Sequence, residues 1–162
     1  MRRGEKAVYI IMGIMVVAVM VKNALTQSSS VEDRTIPYYT DAPEPLQRAA
    51  LDIIRREDCR QCHSLWTVKN IMNSVPAPIL DGMGSLHDEQ WFYGYLSSNN
   101  PQSILRSRLK KEFQMPSYAA LSESDRRTLA QYLASLKVKS WYLAETRKAE
   151  QQKLTGIEEP SQ

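Results

Sequence analysis

The chain has 162 residues, of which 43% are hydrophobic and 24% are charged, and its formal net charge is +3. Four basic residues and one acidic residue among the first 22 account for all of that charge, so the rest of the chain is formally neutral. The high isoelectric point therefore arises from basic residues near the N-terminus, and it is no argument for nucleic-acid binding. The only two cysteines are three positions apart, so no other thiol can mispair in an oxidising compartment.

The N-terminal region contains an apolar stretch that follows a basic flank. No charge occurs from Ala7 to Val21, and the stretch is apolar on all sides, unlike an amphipathic surface helix. Residues 7–25 are long enough to cross a hydrocarbon core of about 30 Å, and Lys22 can extend to the interface. We predict that residues 1–25 form a single-pass anchor in the cytoplasmic (inner) membrane.

The orientation of this anchor follows from its basic flank, which favours a cytoplasmic N-terminus. The remainder of the chain is then expected in the periplasm or outside the cell. A cleaved signal peptide is the alternative. It is disfavoured because Ala24-Leu25-Thr26 is not a small-x-small cleavage site.

Three further segments follow the anchor. Residues 26–45 contain three consecutive serines and three prolines, which is typical of an extended flexible linker. Residues 46–138 carry nearly all the periodic apolar pattern and are predicted to form one small domain. Residues 139–162 are a polar tail, whose start at Ser140-Trp141-Tyr142-Leu143 can dock and whose end is expected to fray.

The domain begins with a helical pattern that leads directly into a cysteine motif. Apolar residues recur at helical spacing from Leu46 to Ile54. They are followed by Cys59-Arg60-Gln61-Cys62-His63, the C-x-x-C-H signature of c-type haem attachment. Two thiols at this spacing can each add to one vinyl group of a porphyrin, and the next residue, an imidazole, can bind the iron. We predict one covalently attached haem c, with His63 as an iron ligand.

Two other readings of the motif are weaker. A thioredoxin-like redox pair requires a βαβ pattern around the cysteines, and the surrounding sequence has none. A tetrahedral zinc site needs four ligands at recurring spacing. Here Cys59, Cys62, His63 and His87 are the whole supply of cysteine and histidine.

Two later segments complete an all-α pattern of about four helices. Residues 85–97 have apolar positions three and four apart, with Asp88 and Glu89 in the predicted first turn. Ser122 and Asp125 resemble a capping box, and apolar residues at helical spacing follow from Leu129. The first and last helices of the domain are long enough to cross each other.

The second axial ligand of a low-spin haem is expected to be Met115. The other candidates are Met72, Met83 and His87. Met115 precedes a proline, which stiffens the loop and suits a thioether held at a fixed distance from iron. Methionine is more often a core-filling residue than a ligand, and we expect this role for Met72.

Residues 46–137 resemble the class I c-type cytochromes. The shared elements, in order, are a helix, the C-x-x-C-H motif, Ala77-Pro78-Ile79-Leu80, Gly82-Met83-Gly84-Ser85-Leu86, Trp91 in a helix, Asn100-Pro101, Met115-Pro116 and a terminal helix. The resemblance implies that the carbonyl of Pro78 accepts a hydrogen bond from the proximal His63 and so fixes the orientation of its ring. It also implies a haem site formed by Cys59, Cys62, His63, Pro78 and Met115, with His63 and Met115 on the iron.

The expected function is electron transfer within a respiratory chain, without catalysis of its own. Redox proteins are the expected partners. The basic residues Arg106, Arg108, Lys110 and Lys111 would favour an acidic one, although such a run is also typical of a solvated face. The alternative is the mono-haem subunit of a membrane oxidoreductase such as a haem–copper terminal oxidase. A catalytic or gas-sensing haem would need an open sixth position, which Met115 argues against.

Overall fold

The computed structural model of the chain describes residues 12–22, 36–66, 68 and 77–156. The chain divides into two compact units, Met1–Ile36 and Pro37–Gln162. In the first unit, residues 12–22 form a helix, α1, whose side chains are exposed. Within the described ranges, no helix has the length and apolar character needed to cross a membrane. The rest of the predicted anchor, residues 1–11 and 23–25, lies outside the described residues, as do residues 26–35 of the predicted linker.

In its described residues, the second unit is built from four helices and a short sheet, with short 3₁₀ turns in the connections. The helices are α2 (Glu44–Arg56), α3 (Glu89–Ser97), α4 (Glu123–Ser135) and α5 (Leu143–Thr155), and the strands are β1 (Tyr38–Thr40) and β2 (Leu136–Val138). The prediction of a mostly helical chain is confirmed.

The sheet consists of two antiparallel strands that join distant parts of the sequence. Tyr38 pairs with Val138 and Thr40 with Leu136, immediately after α4 ends. The Thr40 and Ser135 hydroxyls are 2.8 Å apart and share a hydrogen bond. Strands of three residues are too short to produce a recognisable alternation, so the sequence pattern did not predict this pairing.

The helix starts follow from side-chain and proline chemistry. Pro45 lies in the first turn of α2, where its missing N–H is not needed. The Ser122 hydroxyl accepts from the backbone N–H of Asp125 at 3.0 Å, so the predicted cap of α4 is present. In α3, Asp88 accepts from the backbone N–H of Trp91 at 2.8 Å.

The predicted start of α3 at residue 85 was wrong by four residues. Asp88 is the N-cap residue, and the helix begins at Glu89. Met83–Ser85 forms a separate 3₁₀ turn after Gly82, which has a left-handed φ of 80°. The turn lies close against the end of α4, because a Cβ on Gly84 would collide with the backbone carbonyl of Ala134.

The core lies where α4 packs against both α2 and α3. Its buried members are mainly aliphatic and come from all three helices, with the fully buried Tyr132 from α4 as the largest. The members from α2 are Ala50, Ile53 and Ile54, those from α3 are Phe92 and Leu96, and those from α4 include Leu129, Ala130 and Leu133. The predicted crossing of the first and last helices corresponds to the contact between α2 and α4.

The polar tail contains a helix that the sequence pattern did not predict. It follows a 3₁₀ turn at Ser140–Tyr142 and ends at Gly156, whose φ of 73° is typical of a helix C-terminus. Thr146 on α5 is buried, and Tyr142 packs edge-on against Tyr38 at a ring distance of 5.9 Å. Residues 143–156 are therefore part of the second unit. Residues 157–162 lie outside the described residues.

Candidate haem-binding site

The cysteine motif folds into one tight turn after α2. Asp58 adopts a left-handed backbone conformation, with φ of 51°, which ends the helix and redirects the chain. Cys59–Gln61 then forms a 3₁₀ turn, and the backbone N–H of His63 donates to the carbonyl of Cys59 at 3.0 Å. This turn places Cys59, Cys62 and His63 on the wall of the same cavity. The two cysteines do not form a disulfide.

The imidazole of His63 has a defined tautomer. Its Nδ1 atom lies 2.8 Å from the carbonyl oxygen of Pro78. A carbonyl can only accept a hydrogen bond, so Nδ1 carries the proton and Nε2 of the neutral ring keeps its lone pair. This is the contact that the family resemblance implies for Pro78, and it makes Nε2 the atom able to bind a metal.

Two further hydrogen bonds hold the Pro78 segment beside the motif. The backbone N–H of Leu80 donates to the carbonyl of Ser64 at 3.0 Å. The backbone N–H of Trp66 donates to a side-chain oxygen of Asp81 at 2.7 Å. Together with the bond from His63, these contacts align the two segments side by side. These contacts, two and three residues after Pro78, hold the segment that carries its carbonyl beside the motif.

Trp66 and Asp81 were not predicted as part of this arrangement. Trp66 has a left-handed φ of 54°, which is unfavourable for a bulky residue and must be compensated by its surroundings. Its indole N–H donates to the hydroxyl of the buried Tyr132 at 2.9 Å. Asp81 is only 2% exposed. No short sequence motif signals either residue, since both act through contacts made in the folded chain.

The cavity has a volume of about 330 Å³ and a mainly apolar wall. Its size is within the usual range for small-molecule and cofactor sites. The aliphatic and aromatic lining comes from α2, α3, α4, α5 and the loops between them, and includes Ile54, Leu80, Phe92, Leu96, Leu129 and Leu133. Trp91 and Tyr95 add two stacked rings, 5.2 Å apart. Such a wall suits a flat, largely apolar ring.

The candidates for the second axial ligand lie in different places. Met115 and Met83 both line the cavity. His87 does not line it; its ring stacks on Trp91 at 3.8 Å, and its Nε2 lies 2.6 Å from Glu150. Met72 lies outside the described residues. The side chain of His87 is only 19% exposed.

Burial changes the acid–base properties of two residues at the site. Desolvation lowers the pKa of His63 below its usual 6.5, and the Pro78 hydrogen bond only partly opposes this effect. His63 is therefore neutral at pH 7, the form that binds metals. Burial raises the pKa of the Cys59 thiol above its usual 9.0, with a smaller opposing effect from the Tyr118 hydroxyl. Cys59 is thus held as the thiol.

The residues present are suited to a haem c. Two thiols and an imidazole with its Nε2 lone pair available face one apolar cavity, and a methionine lines the same cavity. In the part of the chain that the structure describes, no three His, Cys, Asp or Glu side chains are grouped to hold a metal ion. No protein-family model, curated protein or solved structure matches the chain. Any assignment of function therefore depends on the residues of the site.

Asp81→Ala is expected to destabilise the protein by about 2 kcal/mol, because it leaves the part-buried Trp66 N–H without its acceptor. The left-handed backbone of Trp66 then also loses the contact that compensates it. Asp81→Asn is the matched control, since its amide oxygen can still accept. Denaturant unfolding of both variants measures the effect, and equal losses for Ala and Asn would contradict the role assigned to this hydrogen bond.

Proposed function

We propose that this chain is a membrane-anchored, mono-haem c-type cytochrome that transfers electrons on the periplasmic or outer face of the cytoplasmic membrane. The observation that carries the proposal is the geometry around His63. Its Nδ1 donates to Pro78, while the two thiols of its own motif line the same cavity. A histidine oriented in this way, next to two cysteines, is the arrangement that covalent haem attachment requires.

Each residue of the site has a distinct part in this proposal. Cys59 and Cys62 hold the porphyrin by thioether bonds, and His63 binds the iron through Nε2. Pro78 keeps the imidazole in its tautomer and orientation, which raises its basicity as a ligand. Met115, in a loop stiffened by Pro116, is the sixth ligand. The bound haem supplies the one-electron redox couple.

The ligand set favours electron transfer over catalysis. With His63 and Met115 both on the iron, no position is open for a substrate, and methionine ligation raises the reduction potential relative to a bis-histidine haem. The apolar wall excludes water from the ring. Redox proteins that dock near the cavity mouth are the expected partners.

Covalent haem is the direct test of this proposal. Haem stain is expected to remain with the polypeptide after boiling in detergent and denaturing electrophoresis. Cys59→Ala combined with Cys62→Ala should remove all covalent stain, because no other cysteine exists. The control is Arg60, which lies between the two cysteines but does not line the cavity. The Arg60→Ala variant should therefore retain the stain. Complete loss of stain from the unmodified protein on boiling would refute the assignment.

A further inference from the structure

Helix α5 lies beyond the part of the chain that resembles a cytochrome, yet it contributes to the cavity wall. Lys153 and Leu154, in its last turn, line the cavity with the residues of the haem motif. One turn and two turns earlier, Glu150 is half-buried and Thr146 is buried. Positions 146, 150 and 154 are four residues apart and lie on one helix face. This face is therefore the one that packs against the rest of the unit.

A hydrogen-bonded pair fastens this face beside the cavity. Glu150 Oε1 lies 2.6 Å from Nε2 of His87, with both side chains less than one-fifth exposed. The His87 ring stacks on Trp91, whose indole lines the cavity. The position of α5 is thus linked to the cavity wall through two side-chain contacts.

The charged residues of the cavity are unevenly distributed. Glu57 and Asp58 line it next to Cys59, whereas Arg106 and Lys153 line it from the methionine loop and from α5. These two cationic segments lie together, because the Arg108 guanidinium occupies the space beside Gly156, just beyond α5, that a Cβ would fill. Arg106 and Lys153 are both exposed, so they lie at the mouth of the cavity.

We propose that α5 completes the haem pocket and that Lys153, together with Arg106, binds the propionate carboxylates of the haem. This inference depends on the proposed function. Haem carries its two carboxylates on the edge opposite the vinyl groups. With the vinyl groups bonded to Cys59 and Cys62 beside two acidic residues, the carboxylates are best placed among the cations. Charge-assisted hydrogen bonds from lysine or arginine to carboxylate are stronger than neutral ones.

The test compares Lys153→Gln with Arg147→Gln in the full-length, haem-loaded protein. Arg147 lies on the same helix, carries the same charge and is exposed, but it does not line the cavity. Removing a cation near the haem disfavours the reduced state. The reduced iron has one positive charge fewer than the oxidised iron, so nearby positive charge favours reduction. We expect the equilibrium constant for reduction to fall about threefold in Lys153→Gln, and to stay unchanged in Arg147→Gln.

The pH dependence of the reduction potential provides a second measurement. A nearby cation lowers the pKa of a carboxylate, so its removal raises that pKa. The range in which the potential falls with rising pH should therefore move to higher pH in Lys153→Gln. Lys153→Arg, which keeps the charge, should restore the unmodified profile.

The possible results separate this inference from the proposed function. A haem-loaded protein in which Lys153→Gln and Arg147→Gln behave alike would overturn the role of α5 alone. A protein that carries no covalent haem would overturn both. A change confined to Lys153→Gln, with rescue by Lys153→Arg, is the expected result.

Discussion

Met115→Ala is expected to remove the weak near-infrared band that a sulfur–iron bond gives to oxidised haem. The reduction potential should fall as well, because a thioether ligand favours the reduced iron. The shift should be a fraction of the roughly 0.8 V range over which axial ligands set haem potentials. Near-infrared absorption and a redox titration of the purified protein measure both effects.

The controls for this prediction are the other two described candidates. Met83→Ala should retain the band, although it should lower stability by about 2–5 kcal/mol, since Met83 is a buried core residue with 8% exposure. His87→Ala should also retain the band, because His87 contacts Glu150 and Trp91 and does not line the cavity. Loss of the band in Met83→Ala, or loss of low-spin character in His87→Ala, with no such loss in Met115→Ala, would show that the ligand has been misassigned.

The second large effect concerns the membrane. The protein should remain in the membrane fraction through high-salt washes and leave it only with detergent, because burial of apolar side chains is not screened by salt. The described helix at residues 12–22 exposes apolar side chains such as Met15 and Met20, each 66% exposed. Immunodetection of the washed fractions gives the measurement.

A truncation provides the control for membrane retention. Replacing residues 1–25 with a cleavable export signal should release a soluble protein whose haem spectrum is unchanged. Release of the unmodified protein by salt alone would contradict the anchor.

Limited proteolysis in native membranes then tests the linker: rapid cleavage near Ser28–Ser30 favours a mobile shuttle, and full protection favours a fixed subunit.

The grouping of Cys59, Cys62 and His63 was predictable from the sequence because it depends on residues that are close together in the chain. The spacing within Cys59–His63 sets one turn of backbone, and that turn brings both thiols and the imidazole to one wall. The cap at Ser122 was predictable for the same reason, since its partner is three residues away. The hydrogen bond between His63 and Pro78 was expected only through the family resemblance.

The contacts that support the site could not be read from local patterns. Trp66 meets Asp81 and Tyr132 only in the folded chain, and its left-handed backbone has no sequence signal. Helix α5 was missed because the face that packs includes Thr146 and Glu150, which are polar, so apolar periodicity does not reveal it. Glu150 is accommodated there because it pairs with His87.

The pairing of β1 with β2 also bears on the order of folding. It joins residues about 100 positions apart. Closing so long a loop costs conformational entropy, and the few hydrogen bonds between the strands offset this cost only once the loop has closed. The helices that lie between them contact one another over shorter separations and can form first. Weakening the Thr40–Ser135 contact should then accelerate unfolding while leaving the folding rate nearly unchanged. We expect the strands to pair late in folding, so that their contacts affect mainly the rate at which the native state unfolds.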